Sequence, residues 1–254
     1  MSGTFLEATF AVEVRLLGWV AVVGRDDAEE WTDLTPKTVE LIAWMATHPG
    51  PQVAERIRDD LWPGRPASAK TLNNHSSTAR MRLGVGLDGA MLFPSANDDR
   101  YRLSPEVVTD IDRVERRFRW AADAAPAAAV PVLRDALGMA RGRPFATRTG
   151  YEWAFADQLV FHAEQLVVDV AQRLGQLCLA AGDPTGAVWA TAGGLRARPG
   201  DESLYQLRMR AFALQGNRTS VHRALEELRA FLFGAEPSEP TMELYQSLMG
   251  LRGA

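Results

Sequence analysis

Read as a pattern of apolar and polar positions, the 254-residue chain has two textures. Residues 12–23 mix short alternation with valine-rich runs and stop at Gly24-Arg25-Asp26-Asp27, which predicts strands closed by a turn. After an acidic loop, Thr35-Pro36 supplies a cap and a first-turn proline for KTVELIAWMA, in which Val39, Ile42, Ala43 and Ala46 recur at helical spacing. His48-Pro49-Gly50-Pro51 ends that helix. A second helix runs from about Val53 to Trp62 and stops at Pro63-Gly64; a third starts near Pro66 to Ser68 and ends at Gly84. The stretch LFPSANDDRYRLSP sets a polar turn, Ser95 to Asp99, between short apolar runs, which predicts a hairpin. Strands, three helices and a closing hairpin within residues 1–105 describe a winged helix-turn-helix.

From Thr109 onward the sequence is rich in alanine and leucine at helical spacing, with almost no strand signal. AGDPTGAVWATAGGL and QGNRTSVHRALEELR repeat at an offset of 34: Gly182 matches Gly216, Thr185 matches Thr219 and Ala190 matches Ala224. That offset is the tetratricopeptide period, and each unit reads as a helix pair that buries its apolar face only by stacking on a neighbour. A long helical run, Tyr151 to Ala181, and a final helix over TMELYQSLMGLR flank the repeats. The expected fold is mainly α with a small β component, a winged helix-turn-helix over 1–105 followed by an all-α, tetratricopeptide-like domain over 106–254.

Composition narrows the function. The hydrophobic content of 46% is globular, and the one cysteine, Cys178, excludes an internal disulfide and fits a reducing cytoplasm. The apolar run Phe10 to Gly24 is interrupted by Glu13 and Arg15 and is shorter than the roughly 20 residues of a membrane helix. No membrane contact by this segment is expected. The four histidines are scattered, no glycine-rich phosphate loop is present, and the acidic pairs Asp59-Asp60, Asp98-Asp99 and Asp110/Asp112 suit helix surfaces, turns and caps. The chain is therefore not expected to be an enzyme, to bind a metal or to need a cofactor. Trp44 and Trp62 are expected to tie the first helices together, Trp153 and Trp189 to fill helix-pair interfaces, and Cys178 to be buried and inert.

The formal net charge is −4, so any attraction to nucleic acid has to be local. From Leu61 to Leu87 there are four Lys or Arg and no Asp or Glu. On the helix in this stretch, Leu72, Ser76, Ala79 and Leu83 form one apolar stripe, and Lys70, Asn74, Ser77, Thr78 and Met81 face the other way. Asn73 and Asn74 have the bidentate chemistry that reads adenine, and Ser77 and Thr78 can bond several bases. Lys70, Arg80, Arg82 and, in the hairpin, Arg100 and Arg102 are candidate phosphate anchors.

The blocks LTPKTVELIAWMATHPG, DDLWPGRPASAKTLNNHSSTARMRLG, YRLSPEVVTDIDRVERRF, ALGMARGRPF and RPGDESLYQLRMRAFALQGNRTSVHRALEELRAFL, in that order, resemble the antibiotic-regulatory-protein type of actinobacterial transcriptional regulators over roughly residues 12–250. The resemblance implies a winged helix of the response-regulator type joined to a bacterial transcriptional activation domain. It implies a cytoplasmic activator that binds double-stranded DNA and recruits or contacts RNA polymerase, with a helical domain that supports either a homodimer or signal input. The helix matching residues 67–83 would enter the major groove, and the hairpin matching Asp98 to Leu103 would be the wing.

Three features support an alternative. Thr78 and Met81 stand where such regulators commonly carry arginine, Ser76 stands where they carry a bulky aliphatic, and residues 1–105 hold eleven Lys or Arg against fourteen Asp or Glu. A weak anchor set predicts weak binding. The alternative is a protein-interaction module whose degenerate winged helix no longer binds DNA, whose helical repeats hold a protein partner, and which forms the cytosolic part of a larger protein.

Overall fold

The computed structural model describes residues 4–25, 30–64, 67–147 and 149–250. The tip of the turn predicted after Gly24, the acidic loop at 26–29 and the earliest predicted start of the third helix, Pro66, lie outside the described residues. Two compact units divide the chain. One holds Leu6–Arg113 together with Pro144–Phe161, and the other holds chiefly Val114–Arg143 and the stretch from His162 onward.

In the first unit, β1 (Val12–Arg15) and β2 (Ala21–Gly24) pair antiparallel with Glu13 opposite Val23. Helix α1 (Pro36–Thr47) begins as its sequence predicts, with Thr35 Oγ1 accepting the Thr38 N–H at 3.3 Å and proline in the first turn. The chain continues through β3 (Gln52–Val53), α2 (Ala54–Leu61), α3 (Ala69–Leu83), β4 (Arg100–Tyr101) and β5 (Val107–Thr109). Ser68 caps α3 by accepting the Thr71 N–H at 3.2 Å. The three helices pack on one another through buried Leu41, Ile42, Trp44 and Met45 of α1, Ile57 and Leu61 of α2, and Leu72, Ala79 and Leu83 of α3. Each fully buried aliphatic side chain of this kind stabilises the fold by about 1.5–3 kcal/mol.

The hairpin differs from its sequence pattern. β4 pairs with β3, immediately ahead of α2, with Gln52 opposite Tyr101. The apolar run before the turn forms no ladder because Leu92 and Phe93 are fully buried and serve as core. Asn97 and Arg100 close the reversal, and Asp98 and Asp99, with φ of 50° and 55°, supply the two left-handed positions of a tight hairpin turn. β5 lies parallel to β1, giving the order β2-β1-β5. Asp110, fully buried just after β5, accepts the N–H groups of Leu16 and Leu17 at 2.7 and 3.0 Å. A carboxylate at that position satisfies two donors that the sheet leaves over.

Helices α4 (Asp110–Asp123) and α5 (Pro126–Gly138) follow, and the segment from Pro144 returns to the first unit. Phe145 and Ala146 donate their N–H groups to the carbonyls of Leu16 and Gly18. Glu40 of α1, 3% exposed, gathers Lys37 Nζ at 2.6 Å, the Tyr151 N–H at 3.0 Å and Trp153 Nε1 at 3.3 Å. The helical run predicted from Tyr151 to Ala181 is broken into α6 (Glu152–Ala156) and α7 (Leu159–Ala180). The break sits at Asp157, whose carboxylate meets His48 Nε2 at 3.0 Å, and at Gln158, which takes a left-handed φ of 60°. Trp153 is buried in the first unit, where its indole bonds Glu40 of α1 and its ring meets those of His48, Phe145 and Tyr151, so it packs α6 on α1 and lies outside the stacked repeats.

In the second unit α8 (Pro184–Ala197), α9 (Glu202–Leu214), α10 (Arg218–Phe231) and α11 (Glu239–Met249) stack in sequence, with α5 against α8. The offset of 34 is structural: Asp183 caps α8 through the Gly186 N–H, and Asn217 caps α10 through the Ser220 N–H. Gly182, Gly216 and Gly250 terminate α7, α9 and α11 with φ of 74°, 70° and 69°. The third of these extends the period by one unit beyond the two sequence repeats. A Cβ on Gly194 would lie 2.7 Å from that of Ala171, so this glycine sets how closely α7 and α8 approach. Trp189, 37% exposed, lies beneath the Arg134 guanidinium at the edge of its interface and does not fill it. Among the described residues no helix is long and apolar enough to cross a membrane.

Candidate nucleic-acid interface

The inward stripe of α3 is the one its sequence predicts: Leu72, Ser76, Ala79 and Leu83 are its buried residues. Ser76, 1% exposed, brings a hydroxyl into this core with no hydrogen-bond partner among the described residues. Lys70, Asn73, Asn74, Ser77 and Met81 are exposed on the outward side, at helical spacings that keep them on one face. Thr78 is half-buried and returns its hydroxyl to the Asn74 carbonyl at 3.1 Å.

The cations separate into two groups. Arg80 donates from Nε to the Phe93 carbonyl at 3.0 Å and from a terminal nitrogen to the Pro94 carbonyl at 3.4 Å, with its guanidinium beside the Phe93 ring. It fastens α3 to the segment that leads into the hairpin. Arg82 turns towards Asp33, Nε to carboxylate at 3.0 Å, and lies 3.9 Å above the Trp31 ring. Lys70, Arg100 and Arg102 are exposed, and none forms an ion pair among the described residues.

Tyr101 belongs to the interface although helical spacing does not single it out. Strand alternation turns Arg100 and Arg102 outward and Tyr101 inward, 4% exposed, where its hydroxyl donates to Asn73 Oδ1 at 2.8 Å. The hairpin and the outward face of α3 are thus joined by one hydrogen bond. The Asn73 amide nitrogen, carrying two donors, remains available on the exposed side. Burial raises the Tyr101 pKa, reinforced by Asp99 and opposed by Arg80 and Arg58, so the phenol stays a donor. Arg58 of α2 is a second such residue, half-buried and without an ion pair among the described residues. The Arg-Tyr-Arg alternation was the available signal for Tyr101, whereas no sequence pattern marked Arg58.

His75, on the flank of α3, shares a hydrogen bond of 2.9 Å between Nδ1 and the buried Thr38 Oγ1. Burial lowers its pKa below the usual 6.5, and Lys37 adds to the shift. It serves the α1–α3 contact as a neutral ring. Among the described residues no group of His, Cys, Asp and Glu is placed to hold a metal ion.

Comparisons with known proteins bear on the whole chain. Residues 109–249, more than half of it, match the family described as bacterial transcriptional activator domain. A solved structure of Mycobacterium tuberculosis EmbR in complex with a low affinity phosphopeptide superimposes with a TM-score of 0.66 at 20% identity, over 96% of this chain and 66% of that one. The chain thus spans just under two thirds of that protein's length, and at this identity the likeness is one of fold. A search of curated protein sequences gives no match.

Proposed function

The chain belongs to the bacterial transcriptional activator domain family, and from that premise we propose that this transcriptional regulator binds double-stranded DNA in the cytoplasm and activates transcription by contacting RNA polymerase. The observation that carries the reading is the pairing of an exposed, nearly uncharged face on α3 with unpaired arginines on the hairpin, the two joined through Tyr101 and Asn73. In this reading α3 lies in the major groove. Asn73, Asn74, Ser77 and Thr78 meet base edges, Met81 offers an apolar contact to a thymine methyl, and Lys70, Arg100 and Arg102 hold phosphates. Arg80 and Arg82 act one step back by fixing the pose of α3, and a homodimer would place two such helices about one helical turn apart.

Fluorescence anisotropy with promoter duplexes from the protein's own genome, followed across salt, tests this proposal. Affinity that falls steeply with ionic strength supports it, and no detectable binding at low salt removes it.

One observation favours a second reading. With Arg80 and Arg82 engaged inside the chain, the named anchor set falls to three cations without an ion pair among the described residues, while Leu214, Phe231 and Phe233 are exposed on the helical repeats, Phe233 at 96%. In that reading the repeats hold a protein partner and the winged helix is a degenerate support. A partner captured from lysate and retained after nuclease digestion supports it, whereas a partner lost on digestion was bridged by nucleic acid.

A further inference from the structure

Away from the outward face of α3, the first unit contains a cavity of about 970 Å³, at the upper end of the size range of small-molecule sites. Its wall is built from β2, α1, α3 and the returning segment, and three aromatic residues belong to it: Trp19, Trp31 and Tyr151. Trp19 is held in place by its backbone bridge to Ala146, yet its indole is 55% exposed. An aromatic ring fixed at its base and left open beside a cavity is a stacking surface. Trp31 is backed by the Arg82 guanidinium.

Tyr151 is 5% exposed, and its hydroxyl has no hydrogen-bond partner among the described residues. The hydroxyl is not sealed from solvent, so a molecule in the cavity can bond to it. Burial pushes its pKa far above the usual value of 10, with Glu40 adding to the shift, so it stays a neutral phenol.

The charges of the wall are also uneven. Lys37 is neutralised by Glu40 at 2.6 Å and donates to the Leu61 carbonyl at 2.8 Å, and the depressed pKa of His75 leaves that ring neutral. Glu30 and Glu152 are exposed carboxylates with no hydrogen bond or ion pair among the described residues. Among the described residues the wall therefore presents two unbalanced negative charges together with indole rings, a combination that attracts a cation both by charge and by the ring quadrupole.

We propose that this cavity is a binding site for a planar, cationic amino-heteroaromatic molecule, with its ring system against Trp19 and Trp31, its charged N–H groups towards Glu30 and Glu152, and one N–H donating to the Tyr151 hydroxyl oxygen. The site is independent of whether α3 grips DNA.

Isothermal titration of the 254-residue chain, without nucleic acid, with 9-aminoacridine and with its anionic counterpart acridine-9-carboxylate tests the assignment. One molecule of the amine should bind per chain, at least about tenfold more tightly than the carboxylate. Trp19→Ala and the pair Glu30→Gln with Glu152→Gln should each weaken the amine at least about fivefold. All three positions carry exposed side chains, so far-UV circular dichroism and the melting temperature should not move. If Trp19→Ala does perturb the fold, Tyr151→Phe, which deletes only the unpartnered hydroxyl, should still weaken binding. The assignment is overturned by absence of amine binding, by equal affinity for the carboxylate, or by affinities that the variants leave unchanged.

Discussion

Replacing Lys70, Arg100 and Arg102 together by alanine tests the division of the cations into free and engaged. All three side chains are exposed and lack ion pairs among the described residues, so their loss should leave the fold intact. Each phosphate neutralised contributes about 0.9 to the slope of log affinity against log salt, so removing three anchors should flatten the slope by about 2.7. Between 50 and 200 mM salt that difference corresponds to about a 40-fold change in affinity. Anisotropy of a labelled random-sequence duplex measures it directly, because this term does not depend on sequence. Arg80→Ala and Arg82→Ala are the internal controls. Arg80 is spent on the Phe93 and Pro94 carbonyls and Arg82 on Asp33 and Trp31, so neither should change the slope by more than about 0.3, while Arg80→Ala should cost about 1–2 kcal/mol of stability in lost hydrogen bonds. An unchanged slope in the triple variant, or an equal flattening by Arg80→Ala and Arg100→Ala, refutes the division.

Ser76→Ala should stabilise the chain by about 1–2 kcal/mol, because it removes an unpartnered buried hydroxyl and improves helix propensity; a denaturation midpoint that falls or stays fixed rejects this. His75 is held neutral in the fold, so as pH drops below 6.5 the unfolded chain takes up the proton first. The stability it contributes is complete above that value and declines towards its lower folded pKa, a dependence that His75→Gln should flatten in melts between pH 7 and 5. Gly194→Ala should lower stability by about 1–3 kcal/mol despite alanine's better helix propensity, because the new methyl meets Ala171 and Leu204; an unchanged or raised melting temperature would show that α7 and α8 can move apart. Cys178 is 2% exposed with its thiol pKa raised by burial and by Asp183, so a disulfide reagent should label it only in denaturant.

The helical faces were legible because their signal is periodic and local. The stripe Leu72, Ser76, Ala79 and Leu83, the Thr35-Pro36 start of α1 and the 34-residue offset all follow from spacing alone. Short and long-range features were not. β5 has three residues, too few to display alternation, and its partner β1 lies more than ninety positions earlier. Leu92 and Phe93 look like strand residues because being apolar does not distinguish a ladder from a core plug. The break at Asp157–Gln158 depends on His48, more than a hundred positions away, and carries no proline or glycine to announce it. On the candidate interface, spacing placed Arg80 and Arg82 on the flanks of α3. Their engagement was hidden because it depends on Phe93, Asp33 and Trp31, which only tertiary folding brings near.

The hold of Glu40 on Tyr151 and Trp153 has a practical corollary for expression and for domain-swap chimaeras. A fragment that stops after the wing would leave the Glu40 carboxylate with Lys37 alone, opened to water where two N–H donors had been, and would strip the cover from Trp44 and His48. Such a piece should behave as a sticky, partly opened species. A graft carrying the stretch 144–161 on a flexible tether, by contrast, would bring its own closure with it.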